Sequence, residues 1–341
     1  MEGSNLESLW GSYLTNLNWP ERAISQYHLS LAKSTREGYN RMIDKCKQYC
    51  LHNRITFPPS DTRYLAGFIC YLSDGTPRPG SVLSCMMAAL SHVYNALSVE
   101  DLTQNVHIRR LMTAVIKSGT QVPMCRSSVL PTERFTNMFL SWDENETLSI
   151  KMLRIKVITL LALAFMLRPS DIAPNAQLFN KDKGSEEKLL FTKDQIKFSD
   201  QGLTINFFGI KNDLKREGFD VTIPTHKVRK LDPGAALQTY IERTDVLRSD
   251  NAVFLSLNRP YRAISAASVA SVLEDSINLA GLGGLGYSAK SFRPTGATLA
   301  IQRGVDPHIV QKVGRWKSTE VFYNHYVHSK TPSEFVSEIL K

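Results

Sequence analysis

A short strand-like stretch interrupts a chain whose other patterns are helical. Between residues 186 and 224, the segments LLFTKDQIKFS, LTINFFGIK and GFDVTIP alternate apolar and polar residues and are rich in β-branched and aromatic side chains. A charged, polar turn at residues 212–217 joins the last two segments, so they are expected to pair as an antiparallel hairpin. The sequence therefore predicts a mostly α protein that contains one small antiparallel β-sheet.

The length of the chain favours two domains, because 341 residues exceed what one ordinary core accommodates. Residues 20–118 show only helical periodicity, with apolar side chains at three- and four-residue intervals. Residues 119–131, GTQVPMCRSSVLP, are rich in helix breakers, and a new helical pattern begins at Thr132. We therefore expect a helical domain over residues 1–122 and a second domain over residues 123–341.

Hydropathy and charge limit the classes of function. The longest apolar run, residues 157–167, has 11 residues including one threonine, which is too short to span a bilayer. No basic segment followed by an apolar one marks the N-terminus as a secretory signal, so an intracellular protein without membrane partners is expected. The formal net charge of +9 favours a polyanionic partner.

Cysteine and glycine patterns offer little support for a cofactor. Cys46 and Cys50 are four residues apart, and with His52 they would make a poor metal site; buried reduced thiols are the alternative. The GLGGLG segment at 281–286 follows a helical pattern instead of a strand, which indicates a turn and not a dinucleotide loop. No metal or other cofactor is expected.

Arg168 ends a strongly apolar helical run and precedes Pro169, which disfavours helical geometry at the arginine and marks the helix end. A guanidinium at the mouth of a buried helix requires an anionic partner. Asp171 could supply that partner in a structural salt bridge. Alternatively, Asp171 holds Arg168 in place so that its guanidinium binds a phosphate.

Two further basic residues, Lys290 and Arg293, lie in the segment SAKSFRPTGAT, residues 288–298. Ser288 is expected to cap a helix, which would place Lys290 and Arg293 on one face. Two arginines from distant segments can bind one phosphate in a bidentate clamp and stabilise the charge of a phosphoryl transition state. An exposed basic helix end is the alternative for Lys290 and Arg293.

Three further features could serve the same phosphate. Lys211 follows an apolar strand pattern and could reach a cleft as a general acid, with Lys215 and Arg216 in the same turn as competitors. Trp316 follows Gly314, a helix C-cap, and its indole N–H could donate to a phosphate oxygen or simply pack in the core. The basic residues beside it and in the hairpin turn are expected to contact DNA: Arg315, Lys317, Lys215 and Arg216.

Tyr326 closes a helical pattern that Ser318 or Thr319 would cap. A phenol has a pKa of about 10 and is a poor nucleophile unless cations stabilise the phenolate. Arg168, Arg293 and Lys290 would provide such cations. Tyr323, three residues earlier, is the rival nucleophile.

The ordered set Arg168, Lys211, Lys290, Arg293, Trp316 and Tyr326 resembles the active site of the tyrosine recombinase/integrase family. The sequence segments KSFRPTGATLA and GRWKS most resemble those of the DIRS-like and Crypton-like recombinases of mobile elements. The resemblance implies a C-shaped DNA clamp, made of a helical core-binding domain and a mostly helical catalytic domain. It also implies phosphate binding by Arg168 and Arg293, with Asp171 supporting the first.

The resemblance further implies the chemistry. Lys211 would be the general acid, and Tyr326 would form a 3′-phosphotyrosyl link with double-stranded DNA. Lys290 stands where many members have histidine, and Trp316 stands where members have histidine or tryptophan. Dimers on each site, a synaptic tetramer and a nuclear location in a eukaryotic host follow from the resemblance. The amphipathic pattern of residues 332–340 is expected to dock on a neighbouring subunit of that tetramer, and packing on its own domain is the alternative. A non-catalytic DNA-binding protein and a type IB topoisomerase remain alternatives.

Overall fold

The computed structural model describes residues 5–76, 79–119, 129–174, 177–180, 185–209, 213 and 217–327. The chain forms two compact units, Met1–Met124 and Cys125–Lys341. The expectations for Lys211, Lys215, Arg216 and residues 332–340 lie outside the described residues.

The described part of the first unit is helical. Its helices are α1 (Leu6–Asn16), α2 (Glu21–Tyr27), α3 (Lys33–His52), α4 (Thr62–Ser73), α5 (Pro79–Ala96) and α6 (Val106–Ser118). Asp61 and Asn105 cap α4 and α6 through their side-chain oxygens, which accept from otherwise unpaired backbone N–H groups.

Two apolar clusters hold the first unit together. One joins α3, α4, α5 and α6, and Cys46 and Cys50 lie within it as buried free thiols. The other packs Trp10 of α1 against α3 and α5. Among the described residues, no three His, Cys, Asp or Glu side chains cluster in a way that could hold a metal ion.

The second unit combines helices with short strands. In chain order these are α7 (Thr132–Ser141), α8 (Ile150–Ala164), α9 (Pro169–Ile172), β1 (Gln177–Asn180), β2 (Ser185–Lys188), β3 (Ile196–Ser199), β4 (Gly202–Asn206), β5 (Asp220–Ile223), α10 (Pro233–Thr244), α11 (Ala266–Leu279), α12 (Phe292–Gln302), α13 (Pro307–Val313) and α14 (Thr319–Tyr326).

The predicted sheet is confirmed: β3, β4 and β5 pair antiparallel in that order. Leu203 and Ile205 alternate with half-buried positions and face the core. Gly202, with φ of 120°, is the first residue of β4 after the β3–β4 turn, and a Cβ there would lie only 2.1 Å from the carbonyl oxygen of Ile223 in β5. The β1–β2 hairpin was not predicted, because its polar segments show little apolar alternation.

Helix α8 is the centre of the second unit. It is buried nearly all round, and it packs against α10, α11 and α12. This explains why its sequence is apolar on every face instead of amphipathic. None of the helices in the described ranges is both long and apolar enough to cross a membrane. The position of α8 matters for function because its C-terminal end carries the residues described next.

Candidate active site

The segment after α8 places Arg168 with its backbone fixed and its side chain half-buried. Arg168 is extended (φ −88°, ψ 156°) ahead of Pro169, as expected for a residue before proline. Asp171 Oδ2 accepts from the backbone N–H of Arg168 at 2.9 Å. Of the two alternatives for Asp171, the salt bridge to the Arg168 guanidinium is not formed, and Asp171 instead holds Arg168 in place through its backbone.

Tyr326 ends α14, and its phenol meets Arg168. Ser318 caps the helix by accepting from the N–H of Val321, and buried Phe322 packs on Trp316 with ring centroids 4.8 Å apart. Arg168 Nη2 donates to Tyr326 Oη at 3.4 Å. Tyr323 is 45% exposed. The structure thus brings Tyr326, and not its rival, to Arg168.

Arg293 lies beneath the same aromatic rings. Its side chain is 3% exposed, and its guanidinium carbon is 4.1 Å from the ring centroid of Trp316 and 5.3 Å from that of Tyr326. Both Nη groups donate to backbone carbonyls, those of Met166 and Gly314. Arg293 therefore offers buried positive charge, while the open bidentate clamp expected from the sequence is not formed.

Arg315 is buried, which corrects its expected place on the DNA surface. It adopts a left-handed backbone conformation (φ 59°) that directs its side chain inward. Its Nη2 lies 3.2 Å from Asp171 Oδ2, and its guanidinium carbon lies 4.0 Å from the ring centroid of Phe207. The carboxylate and the ring together provide the partners that a buried guanidinium requires.

Lys290 and Arg293 do not share a helix face, contrary to the expectation. Ser288 caps a separate 3₁₀ turn, Ala289–Ser291, and α12 begins only at Phe292. Lys290 is therefore exposed while Arg293 is buried. Lys317, beyond α13, is also exposed.

Trp316 is buried, and its indole Nε1 has no hydrogen-bond partner among the described residues. Its ring lies directly against Gly314, where a Cβ would fall 1.8 Å from Trp316 Cζ3. Gly314 is the C-cap of α13, as predicted, but its φ of −79° does not require glycine. The glycine is needed for the room that it leaves for the indole.

The electrostatics of the site favour an anion. Two guanidinium groups, from Arg293 and Arg315, lie against one buried carboxylate, Asp171, and the charge of a third, that of Arg168, acts on Arg293. Burial and the charge of Arg168 lower the pKa of Arg293. Burial alone would raise the pKa of Tyr326, but the hydrogen bond and charge of Arg168, together with the charge of Arg293, lower it. A lower phenol pKa means a larger phenolate fraction at any given pH.

Two contributors to the site were missed from the sequence. Met166 has a left-handed conformation (φ 52°) that turns its carbonyl toward Arg293, and no sequence signal marks it. Thr298 donates its hydroxyl to the backbone carbonyl of Tyr326 at 3.1 Å. Its place in an apolar helical stretch could have identified Thr298 as a buried polar residue that needs a partner.

Comparisons with known proteins show what this architecture is similar to. No family model and no curated protein matches the chain. Solved structures do match. The XerH recombinase bound to difH substrate is 14% identical, with a TM-score of 0.55 over 97% of this chain and 87% of that chain. The Tn1549 transposon integrase with circular intermediate DNA is 11% identical, with a TM-score of 0.55 over 99% and 100%.

A lambda integrase dimer bound to a COC′ core site is 14% identical, with a TM-score of 0.52 over 96% of this chain and 78% of that chain. The matched structures cover nearly the whole of this chain, including both compact units. At these identities the likeness is one of architecture. The chain has the fold of the tyrosine recombinases and integrases.

Proposed function

We propose that this protein is a tyrosine recombinase that cleaves and rejoins DNA strands through Tyr326. The observation that carries the proposal is the contact between the Arg168 guanidinium and the Tyr326 phenol, with buried Arg293 below the ring. Cations from remote parts of the chain surround one phenol whose pKa is lowered. This arrangement suits attack on a phosphodiester.

In the proposed reaction, the Tyr326 oxygen bonds to phosphorus after its proton has left to solvent. The bond from phosphorus to the 5′-oxygen breaks, and that oxygen takes a proton from Lys211, the acid proposed from the sequence. The 3′-phosphotyrosyl link retains the energy of the phosphodiester. A 5′-hydroxyl of another strand then reverses the step and releases Tyr326.

The supporting roles follow from exposure and free donors. Arg168 is half-buried, and its guanidinium has no described partner besides Tyr326, so its other N–H groups suit direct contact with the phosphate. Arg293 contributes charge and its Nε–H, which is unpaired among the described residues. Trp316 Nε1 suits a third donor, and exposed Lys290 and Lys317 suit the flanking backbone.

The proposed partner is duplex DNA. XerH and lambda integrase were solved on DNA, the latter as a dimer and as a tetramer on a Holliday junction, and the Tn1549 protein is a transposon integrase. By analogy, we propose dimers on each site, a synaptic tetramer, and a role in integration or excision of a mobile element. Residues 332–340 are proposed to dock on the neighbouring subunit.

Covalent capture tests the proposal without knowledge of the target site. The protein is incubated with a library of nicked duplexes whose cores are randomised, so that cleavage releases a short strand and traps the adduct. Denaturation then removes DNA that is only bound, and the captured strands are sequenced. Wild-type protein is expected to yield adducts that Tyr326→Phe abolishes, with at least a roughly thousandfold loss, since the nucleophile itself is removed.

Tyr323→Phe is the matched control, because it removes the same hydroxyl from an exposed position three residues away. It should form adducts as the wild type does. If Tyr323→Phe abolishes the adduct and Tyr326→Phe retains it, Tyr323 is the nucleophile and the assignment to Tyr326 is wrong. A folded wild-type protein that binds DNA yet forms no adduct would instead identify a non-catalytic DNA-binding protein.

A further inference from the structure

Thr298 links the helix that carries Arg293 to the helix that carries Tyr326. Thr298 is fully buried on α12, five residues after Arg293. Its Oγ1 donates to the backbone carbonyl of Tyr326, the last residue of α14, at 3.1 Å. The last carbonyls of a helix have no partner within the helix. The hydroxyl therefore satisfies one of these carbonyls at the residue that bears the phenol.

We propose that Thr298 is a positioning residue for Tyr326, whose hydroxyl fixes the end of α14 so that the phenol stays against Arg168. This inference rests on the proposed function for its catalytic meaning. Its structural content, that the Thr298 hydroxyl determines where the phenol lies, is independent of any reaction.

The short length of α14 makes such a contact effective. The helix has eight residues, and an isolated helix of that length is marginal in water. Its first turns are held by apolar packing, because Phe322 is fully buried in a cluster with Trp316 and Met166. Tyr326 lies one turn further, at the end, where its ring packs on Trp316 with centroids 4.9 Å apart but remains half-buried.

In addition to this ring packing, two side chains among the described residues donate hydrogen bonds to Tyr326: Thr298 to its carbonyl and Arg168 to its phenol. The groups facing the phenol are Arg168, from the turn after α8, and Arg293, from α12. Losing one hydrogen bond of ordinary strength shifts a docking equilibrium by roughly tenfold. Removal of the Thr298 hydroxyl should therefore raise, by roughly tenfold, the ratio of molecules whose phenol has left both cations to molecules whose phenol contacts them.

The first test needs neither DNA nor catalysis. The phenol pKa of Tyr326 is measured by NMR on full-length protein labelled at tyrosine ζ-carbons, with Tyr326→Phe assigning the signal. Thr298→Val keeps the shape and removes the hydroxyl, while Thr298→Ser keeps the hydroxyl. The valine variant is expected to raise the phenol pKa toward its ordinary value, because contact with Arg168 and Arg293 is lost, and serine is expected to restore the wild-type value.

The second test measures adduct formation at saturating DNA, using a sequence recovered from the captured library. Thr298→Val should slow cleavage roughly tenfold without changing the Kd for DNA, and Thr298→Ser should restore the rate. The pH–rate profile of the valine variant should also move to higher pH. General loss of structure would not move the profile in this way.

The outcomes separate this inference from the proposed function. If the phenol pKa is raised in Thr298→Val but the wild type forms no adduct, Thr298 positions the phenol and this role has no part in catalysis. An unchanged phenol pKa in Thr298→Val would overturn the inference even if the wild type forms adducts. If the valine variant does not fold, Thr298→Ala compared with Thr298→Ser provides the same contrast, because serine restores only the hydroxyl.

Discussion

At the scale of single residues, Asp171 organises the site with one oxygen. Its Oδ2 accepts from the backbone N–H of Arg168 at 2.9 Å, lies 3.2 Å from Arg315 and 3.9 Å from Arg293. All three partners belong to segments that must stay in register for Tyr326 to meet Arg168. A buried carboxylate and its cations are costly to separate, because either charge left alone is poorly solvated.

Arg315→Met is expected to destabilise the second unit by about 3–5 kcal/mol, because it leaves Asp171 buried without its nearest cation. Hydrogen exchange of the slowest α8 amides in the full-length chain measures this loss. Lys317→Met, an exposed neighbour, is the control and should change stability by less than about 0.5 kcal/mol. Equal effects of the two substitutions would contradict the buried ion pair.

Lys156 gives the second unit a specific pH dependence. It is fully buried on α8, its Nζ donates to Asn145 Oδ1 at 2.8 Å, and burial lowers its pKa from 10.5 to about 8. Between these pH values the unfolded chain binds the proton that the folded chain has released. The free energy of unfolding should therefore rise with pH across this window.

The comparison with Lys156→Met isolates this effect, since all other titrating groups are common to both proteins. The stability of the wild type relative to this variant should increase as pH rises from about 8 to about 10.5, and stay flat outside that range. Urea unfolding across that range measures it. A relative stability that stays flat or falls between these pH values would show that the buried lysine has no lowered pKa.

At the scale of elements, the site depends on how closely α12 approaches the end of α8. Gly296 is at this contact, where a Cβ would lie 2.5 Å from the carbonyl oxygen of Leu163 and 2.8 Å from Met166 Cγ. The same approach lets Arg293 donate to the Met166 carbonyl. The glycine in the FRPTG segment thus sets the spacing between the two elements that carry the arginines.

Gly296→Ala should cost about 1–3 kcal/mol of stability, because the backbone of α8 cannot yield as a flexible side chain would. It should also raise the pKa of the Tyr326 phenol, since α12 must move away with Arg293. Gly11→Ala is the control: it lies in α1 with no atom within 4 Å of the new Cβ, and it should stabilise by about 0.5–1 kcal/mol. A free energy of unfolding in Gly296→Ala equal to that of the wild type would refute the tight contact between α12 and α8.

At the scale of the whole molecule, one chain supplies the contacts around the proposed nucleophile. Arg168 and Thr298 both bond Tyr326 of the same chain. In an assembly of several subunits, such a site would cleave with its own tyrosine. Delivery of the tyrosine from a neighbouring subunit would require α14 to leave these partners.

Mixing two inactive variants tests this arrangement. Arg168→Ala lacks the proposed phosphate-binding arginine, and Tyr326→Phe lacks the nucleophile. If each chain uses its own tyrosine, the mixture should form no adduct with the captured DNA sequence. If the tyrosine crosses between subunits, one subunit's Tyr326 would combine with another's Arg168, and adduct formation would recover.

The sequence by itself determined the elements and most of the residues of the site. Hydrophobic periodicity, caps such as Asp61 and Asn105, and strand alternation act over a few residues, so the helices and the three-stranded sheet were predictable. The polar β1–β2 hairpin was not. Arg168 was proposed because it ends an apolar run, and Arg293 and Tyr326 because their residue types and order resemble those of the family's active site.

Only the tertiary structure decided which charges are buried and which partners they take. Arg315 and Asp171 are 144 positions apart, and nothing local to either residue shows that they pair. The Arg293 donors are likewise taken by Met166 and Gly314, through backbone conformations that no residue type demanded. A buried polar group takes the partner that folding brings within reach, and that choice depends on the packing of remote helices.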